Sequence, residues 1–131
     1  MEQKLNGTSV GGGKNLLIVD DDDAFRKALA EGISLMEGGV SVYTAENGEQ
    51  AVAIIRNVAM DLVITDLRMP AMDGAELALW LAEDRPSVPV IVMSAYADSG
   101  MVRELEAKGN HFLDKPLDFN DLMAKIRKLL H

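Results

Sequence analysis

The hydrophobic positions of this chain alternate between two periodicities from residue 15 onward. Short runs rich in apolar and β-branched residues occur at residues 16–19, 40–45, 62–64, 88–93 and 111–114. Runs of this length are too short for helices and predict buried strands. Between them, apolar residues recur every three or four positions, which predicts amphipathic helices. Strands that alternate with helices indicate an α/β fold with a parallel sheet covered on both faces.

The helices have recognisable ends and buried faces. In the first helix, Asp22 or Asp23 is a natural N-cap, and Phe25, Leu29, Ile33 and Met36 fall on one face. Further helices are predicted at residues 47–58, 75–83, 98–108 and 118–130. The helix at 98–108 is expected to be the weakest, because Gly100 and few large apolar residues leave it little to bury.

Residues 1–14 differ from the rest of the chain. They contain few apolar residues and include three consecutive glycines at positions 11–13, a composition typical of linkers. We expect this segment to be a flexible leader or a tail of artificial origin. The folded domain is therefore expected to cover residues 15–131.

Composition narrows the class of protein. The chain has 131 residues, a net charge of -8 and no cysteine, which fits one domain without disulfides or thiol chemistry. The negative charge argues against direct nucleic-acid binding, which needs clustered Lys and Arg. No apolar run approaches the length of a membrane span, and the N-terminus lacks the apolar core of a signal peptide. We expect a soluble cytoplasmic domain that does not bind membranes.

Polar side chains follow the predicted strands where each strand ends. Asp20 and Asp21 follow the first strand, Asp66 the third, Ser94 the fourth and Lys115 the fifth. The carboxyl ends of parallel strands share one edge of a sheet, and ligands bind there. An isolated aspartate at a strand end most often only caps a turn. The convergence of three carboxylates, one hydroxyl and one ammonium instead predicts a site.

The charges of this group indicate its chemistry. Two carboxylates about 4 Å apart repel by about 4 kcal/mol at an effective dielectric constant near 20. A hard divalent cation with a preference for oxygen relieves that repulsion, and Mg²⁺ also binds phosphoryl oxygens. Lys115 and Ser94 could hold a phosphoryl group, while Asp66 could act as a metal ligand only or also as a nucleophile.

Four stretches of the sequence together resemble a response-regulator receiver domain of the kind found in two-component signalling and chemotaxis regulators. They are Val19-Asp20-Asp21, Thr65-Asp66-Leu67-Arg68-Met69-Pro70-Ala71-Met72-Asp73-Gly74, Val92-Met93-Ser94-Ala95 and Lys115-Pro116. They occur in the family's order, and the likeness covers residues 15–131. The resemblance implies a doubly wound, five-stranded parallel sheet of order 2-1-3-4-5 with five helices, the flavodoxin-like fold.

The resemblance also implies roles for the acidic residues. Asp66 would accept a phosphoryl group from a histidine kinase or a histidine phosphotransfer protein. Asp21 and Asp66 would ligate Mg²⁺ directly, and Asp20 would support the ion through water. The backbone carbonyl of Arg68 would be a further ligand.

The remaining implied roles belong to the phosphoryl-binding and switch residues. Ser94, where the family commonly has Thr, would be the switch hydroxyl, and Lys115 the phosphate-binding lysine in a cis peptide with Pro116. Phe112 stands at the position of the family's switch aromatic, often Tyr; an ordinary core residue is the alternative reading. Arg68 and Tyr96 each lie two residues after a site residue. We hypothesise that they set the dephosphorylation rate, the alternative being solvated side chains.

These roles imply a two-state switch and partners that read it. The face built from residues 98–108, 111–114 and 118–130, the fourth helix, fifth strand and fifth helix, would be remodelled by phosphorylation. An output domain or a second copy of the chain could dock there. The domain would catalyse only its own phosphorylation and dephosphorylation.

Two other functions stay open. A scaffold could keep the fold and bind partners without phosphorylation, although the complete set of site residues argues against it. A Mg²⁺-dependent phosphatase of the haloacid-dehalogenase type also uses an aspartate nucleophile. That class needs a second aspartate two residues later, where this chain has Arg68.

Overall fold

The elements of the fold alternate along the chain as the hydrophobic pattern predicts. The computed structural model describes the backbone of residues 3–4 and the residues 13–69, 72–95 and 98–131. The strands are β1 (Gln3–Lys4), β2 (Lys14–Val19), β3 (Val40–Ala45), β4 (Leu62–Asp66), β5 (Val90–Ser94) and β6 (His111–Asp114). The helices are α1 (Asp23–Met36), α2 (Gly48–Asn57), α3 (Gly74–Asp84), α4 (Ser99–Ala107) and α5 (Phe119–Leu130).

The strands form one sheet in the order β1-β3-β2-β4-β5-β6. Strands β2 to β6 are parallel to one another, and counted among themselves they have the order 2-1-3-4-5. The predicted doubly wound, flavodoxin-like α/β fold is therefore confirmed. In this order β2 and β4 lie side by side at the centre, so Val19 is in register with Thr65 just before the acidic residues begin.

Strand β1 is an addition to the predicted sheet. Gln3 and Lys4 pair antiparallel with Thr44 and Tyr43 at the edge of β3. Two residues are too few to show a period, and an edge strand offers open N–H and C=O groups to any extended segment. Strand β2 also begins at Lys14, one residue inside the predicted leader. Residues 1–2 and 5–12 lie outside the described part, and the division of the chain near residue 14 stays a prediction.

The two faces of the sheet have separate hydrophobic cores because successive side chains of a strand point in opposite directions. On β2, Leu17 and Val19 face the core shared with α2, α3 and α4, whereas Leu16 and Ile18 face the core shared with α1 and α5. Every one of these four side chains is buried. Burial on both faces explains why the strands have continuous apolar sequences. Across the described ranges, no helix is both long and apolar enough to cross a membrane.

The helices agree with the predicted hydrophobic pattern except at the C-terminal end of α1. Asp22, rather than Asp23, caps α1, and its carboxylate accepts a hydrogen bond from the Phe25 N–H. The prediction that Met36 is buried is wrong, because its side chain is 55% exposed. The buried stripe of α1 centres on Arg26, Leu29, Ala30 and Ile33, and at about 100° per residue Met36 lies at its margin. Helix α4 buries only Leu105, as its weak pattern predicts.

Candidate functional site

The carboxyl ends of the parallel strands bring an ammonium group between two carboxylates. Asp66 is the last residue of β4, and Lys115 follows β6. The Lys115 Nζ atom lies 3.1 Å from Asp20 Oδ2 and 3.4 Å from Asp66 Oδ1. The doubly wound topology thus brings Lys115 into direct contact with both aspartates, although the three predicted site residues are far apart in the sequence.

Three carboxylates form a cluster that fits a divalent cation. One oxygen from each of Asp20, Asp21 and Asp66 lies within 4.8 Å of the other two. Asp20 is buried, the Asp66 side chain is 13% exposed and Asp21 is exposed, so the cluster opens to solvent on one side. A set of oxygen ligands with an open side suits Mg²⁺, which keeps several waters and binds through one or two carboxylates plus phosphoryl oxygens. These three residues would hold such an ion.

The electrostatics of the cluster favour added positive charge. Burial raises the pKa of Asp66, and the neighbouring carboxylates of Asp20 and Asp21 raise it further, while Lys115 opposes them. Burial alone would lower the pKa of Lys115, but the carboxylates of Asp20 and Asp66 outweigh it and raise that pKa. The Lys115 ammonium is therefore the cation in contact with the carboxylates of Asp20 and Asp66, and a third carboxylate, that of Asp21, lies nearby. A bound cation would relieve the remaining repulsion.

The backbone around Asp20 is held by a buried arginine. The Arg26 side chain is almost fully buried, and its Nη1 donates a 2.8 Å hydrogen bond to the Asp20 carbonyl oxygen. Its Nη2 forms an ion pair with Asp23. The Asp22 N–H donates to Asp20 Oδ1 at 2.9 Å. The sequence pattern did not single out Arg26. Its position on the buried stripe of α1 is a signal that the guanidinium needs a partner, but the pattern does not say which partner.

The position of Lys115 is fixed from three sides. Its peptide bond to Pro116 is cis, as the family resemblance implies. Its N–H donates to the Ser94 carbonyl oxygen at 3.0 Å, which ties it to the end of β5. Its Nζ lies 4.4 Å from the centre of the Phe25 ring, a cation–π contact from α1. The hydrophobic pattern predicts only a core role for Phe25.

The start of α3 packs closely against the end of β4. The Leu67 N–H donates a hydrogen bond to the Met93 carbonyl oxygen at 2.8 Å, and the Gly74 N–H donates one to the Leu67 carbonyl oxygen at 2.9 Å. A Cβ atom at Gly74 would overlap with the Asp66 carbonyl oxygen and would lie 2.9 Å from Leu67 Cα. Only glycine therefore lets the start of α3 approach the end of β4 this closely.

A capping box begins α3 immediately beside this contact. The Asp73 carboxylate accepts from the Glu76 N–H at 2.9 Å, and the Glu76 carboxylate accepts from the Asp73 N–H at 3.2 Å. The reciprocal bonds satisfy two backbone N–H groups at the helix start. The capping box fixes the direction in which α3 leaves the site.

The other predicted site residues occupy different positions. Ser94 is buried at the end of β5, one residue beyond Met93, which is in register with Asp66. Arg68 is exposed in the segment after β4. Phe112 is partly buried, packs on the core shared with α2 to α4 and is in register with Val92. Tyr96 lies outside the described residues, so its predicted role stays a prediction.

Known proteins are similar in sequence to most of this chain. The chain is 37% identical over 116 residues to a cyclic di-GMP phosphodiesterase of Thermotoga maritima, covering 88% of this chain and 30% of that protein. It is 35% identical over 116 residues to the response regulator MprA of Mycobacterium sp. (strain KMS), covering 88% of this chain and 50% of that protein. The chain thus spans half or less of the length of these relatives.

Structural and family comparisons cover nearly the whole described chain. A CheY-like response regulator receiver domain protein from Methanospirillum hungatei superposes with a TM-score of 0.82 at 30% identity, covering 90% of this chain and 94% of that one. The family model for the response regulator receiver domain matches residues 16–127. The chain therefore belongs to the family of response regulator receiver domains.

Proposed function

We propose that this chain is a phospho-accepting receiver domain in which Asp66 takes a phosphoryl group from a phosphohistidine donor. The donor would be a histidine kinase or a histidine phosphotransfer protein. The observation that supports the proposal most directly is the Lys115 ammonium, 3.4 Å from Asp66 and 3.1 Å from Asp20, beside a third carboxylate. The family's role in signalling with kinase partners favours a cytoplasmic location.

The transfer step follows from the charges at the site. An Asp66 carboxylate oxygen attacks phosphorus, the P–N bond to the donor imidazole breaks, and the electron pair leaves on the imidazole nitrogen. The ionised form of Asp66 is the nucleophile, so the proximity of Lys115 favours the reactive state. Lys115 then donates to a phosphoryl oxygen. Mg²⁺, when bound, neutralises phosphoryl charge and orients the phosphoryl oxygens.

The residues around the acceptor have distinct roles in this proposal. Asp21, Asp66 and the Arg68 backbone carbonyl would hold the ion directly, and Asp20 would support it through water. Asp20 is suited to the indirect role because its two carboxylate oxygens already accept from Lys115 and from the Asp22 N–H. The exposed Arg68 side chain and Tyr96 modulate the rate at which water removes the phosphoryl group.

Phosphorylation changes the partners of Lys115 and adds acceptor oxygens near the end of β5. The Ser94 hydroxyl moves toward the phosphoryl group, and the Phe112 ring turns into the space that the Ser94 side chain leaves. Helix α4 is the segment most easily displaced, because only Leu105 anchors it and weak burial means low local stability. The altered face of α4, β6 and α5 is then available to an output domain or a second copy of the chain.

The acceptor function is distinguished from the scaffold alternative by one variant. The full chain is incubated with acetyl phosphate and Mg²⁺ and its intact mass is measured. We expect wild type and the control Asp121→Asn, an exposed carboxylate on α5, to gain one phosphoryl group, and Asp66→Asn to gain none. A wild-type chain that stays unmodified would favour the scaffold function. Equal modification of Asp66→Asn would exclude Asp66 as the acceptor.

A further inference from the structure

A groove lies between α3 and α4, and none of its lining residues belongs to β6 or α5. Its volume is about 730 Å³, within the range of small-molecule binding sites. The floor on the α3 side is made of small side chains at helical spacing, Ala75, Ala78 and Ala82. Larger residues at these positions would fill the space between the two helices. The groove is thus a consequence of the alanines on α3.

Large apolar side chains line the groove without being buried. Leu79 of α3 is 54% exposed and Met101 of α4 is 38% exposed. Among the residues whose exposure is described, the other large exposed apolar residues are Leu35 and Met36 on α1. Two of these four side chains therefore line one concave surface. Exposed apolar residues concentrated in a concavity and bordered by polar ones mark interaction sites.

The border of the groove is negatively charged. Glu76, Asp98 and Glu104 line it together with a single cation, Lys108. Lys108 lies 3.4 Å from Glu104 and compensates that carboxylate. Glu76 and Asp98 remain. The Glu76 carboxylate accepts a hydrogen bond from the Asp73 N–H at 3.2 Å, and the Asp98 carboxylate accepts one from the Met101 N–H at 2.8 Å, which fixes both side chains in place. The charge at this border favours a cationic partner.

We propose that this groove binds a basic amphipathic helix of a partner protein. Apolar side chains one helical turn apart would lie against Leu79 and Met101, and Lys or Arg side chains beside them would face Glu76 and Asp98. The groove shares α4 with the face assigned to switching but has no lining residue in β6 or α5. Binding here does not require phosphorylation, so it can be tested separately from the function of Asp66.

The test uses the full unphosphorylated chain and a synthetic peptide of leucine and lysine, about five helical turns long, with leucines on one face. Binding is measured by fluorescence anisotropy and mapped by amide chemical shifts. We expect shifts centred on α3 and α4. A scrambled peptide of identical composition keeps the charge but loses the apolar face, and we expect it to bind about tenfold more weakly or worse.

Variants separate the apolar groove from general attraction between opposite charges. Leu79→Glu adds negative charge, which alone would strengthen binding, yet we expect it to weaken binding about tenfold because the apolar contact is lost. Met101→Glu is the second variant and Leu35→Glu, an 86% exposed leucine on α1, the matched control with unchanged binding. Equal affinities of Leu79→Glu and Leu35→Glu, or equal binding of the scrambled peptide, would overturn the proposal.

Discussion

The Lys115 ammonium lies between the ring of Phe25, 4.4 Å from its centre, and the carboxylate of Asp66, 3.4 Å away. The ring and the carboxylate attract the same cation from different elements, α1 and β4. A cation–π contact contributes about 0.5–2 kcal/mol, depending on how far water is excluded. The aromatic face of α1 thus helps to keep Lys115 at the carboxylates before any phosphoryl group arrives.

Replacing Phe25 with leucine should therefore slow phosphorylation. Phe25→Leu keeps an apolar side chain but removes the ring that attracts the ammonium. We expect the rate with acetyl phosphate to fall by about two- to fivefold, the loss that corresponds to about 0.5–1 kcal/mol. Phe25→Tyr should retain nearly the wild-type rate, because it retains the ring. The measurement is the time course of intact mass.

A second aromatic residue provides the control for Phe25. Phe119 of α5 packs in the same core but does not contact Lys115 among the cation–π pairs of the described residues. Phe119→Leu should lower stability without changing the rate of the folded protein. Equal rates for Phe25→Leu and Phe25→Tyr would show that the ring does not position Lys115.

Magnesium should stabilise the folded chain through the carboxylates. An ion that binds only the folded state raises the free energy of unfolding as its concentration rises above its dissociation constant. We expect millimolar Mg²⁺ to raise the melting temperature of wild type and to have much less effect on Asp21→Asn and Asp66→Asn. Chelation of divalent ions should remove the difference. An identical response of Asp21→Asn and the distant control Asp121→Asn would contradict the assigned metal site.

The stability of the chain without divalent ions should depend on pH through Asp66. Because the pKa of Asp66 is raised in the folded state, the folded state binds its proton more tightly than the unfolded state does. The resulting stabilisation is fully present below the unfolded pKa, about 3.9, and is lost as pH rises through the folded pKa. The free energy of unfolding of Asp66→Asn should therefore increase relative to wild type over that interval. Urea titrations at a series of pH values measure it, and a constant difference would be inconsistent with the raised pKa.

Alanine at two helical glycines should have opposite effects on stability. Gly74→Ala would place a methyl group against the backbone of Asp66 and Leu67, and overpacking of this kind costs about 1–3 kcal/mol. At Gly100 the nearest atom of the described residues, Asp98 Oδ1, would lie 3.4 Å from an added Cβ, so Gly100→Ala should stabilise the chain by up to about 1 kcal/mol. Gly74→Ala should also slow phosphorylation, because relief of the overlap shifts Asp66. Chemical denaturation and the mass assay test both effects; equal stability of the two variants would contradict the close approach at Gly74.

The sequence predicted the parallel sheet and the residues that the sheet brings together at one edge. The buried strands are continuous apolar runs, so their alternation with helices predicts the parallel sheet, and that sheet brings Asp20, Asp66 and Lys115 to one edge. Strand β1 could not be predicted, because two residues carry no periodicity. The capping box of Asp73 and Glu76 was readable from its spacing but was not recognised.

The supporting contacts of the site depend on geometry that no pattern contains. Arg26 occupies a position on a buried helical stripe where an apolar residue is the ordinary expectation, and its partner is a backbone carbonyl rather than another side chain. Phe25 fits the predicted amphipathic pattern, but its contact with Lys115 appears only when α1 and β6 are assembled. The close approach of Gly74 to Asp66 likewise requires the path of the chain between β4 and α3.

Identification of the phosphorylated residue tests the central claim most directly, because three carboxylates share the site. Sodium borohydride reduces an acyl phosphate to an alcohol and so converts a phosphorylated aspartate into homoserine. The chain is treated with acetyl phosphate and Mg²⁺, reduced with borohydride, digested and sequenced by tandem mass spectrometry. We expect homoserine at position 66 only. Homoserine in place of Asp20 or Asp21, with Asp66 intact, would contradict the assignment of Asp66 as the acceptor.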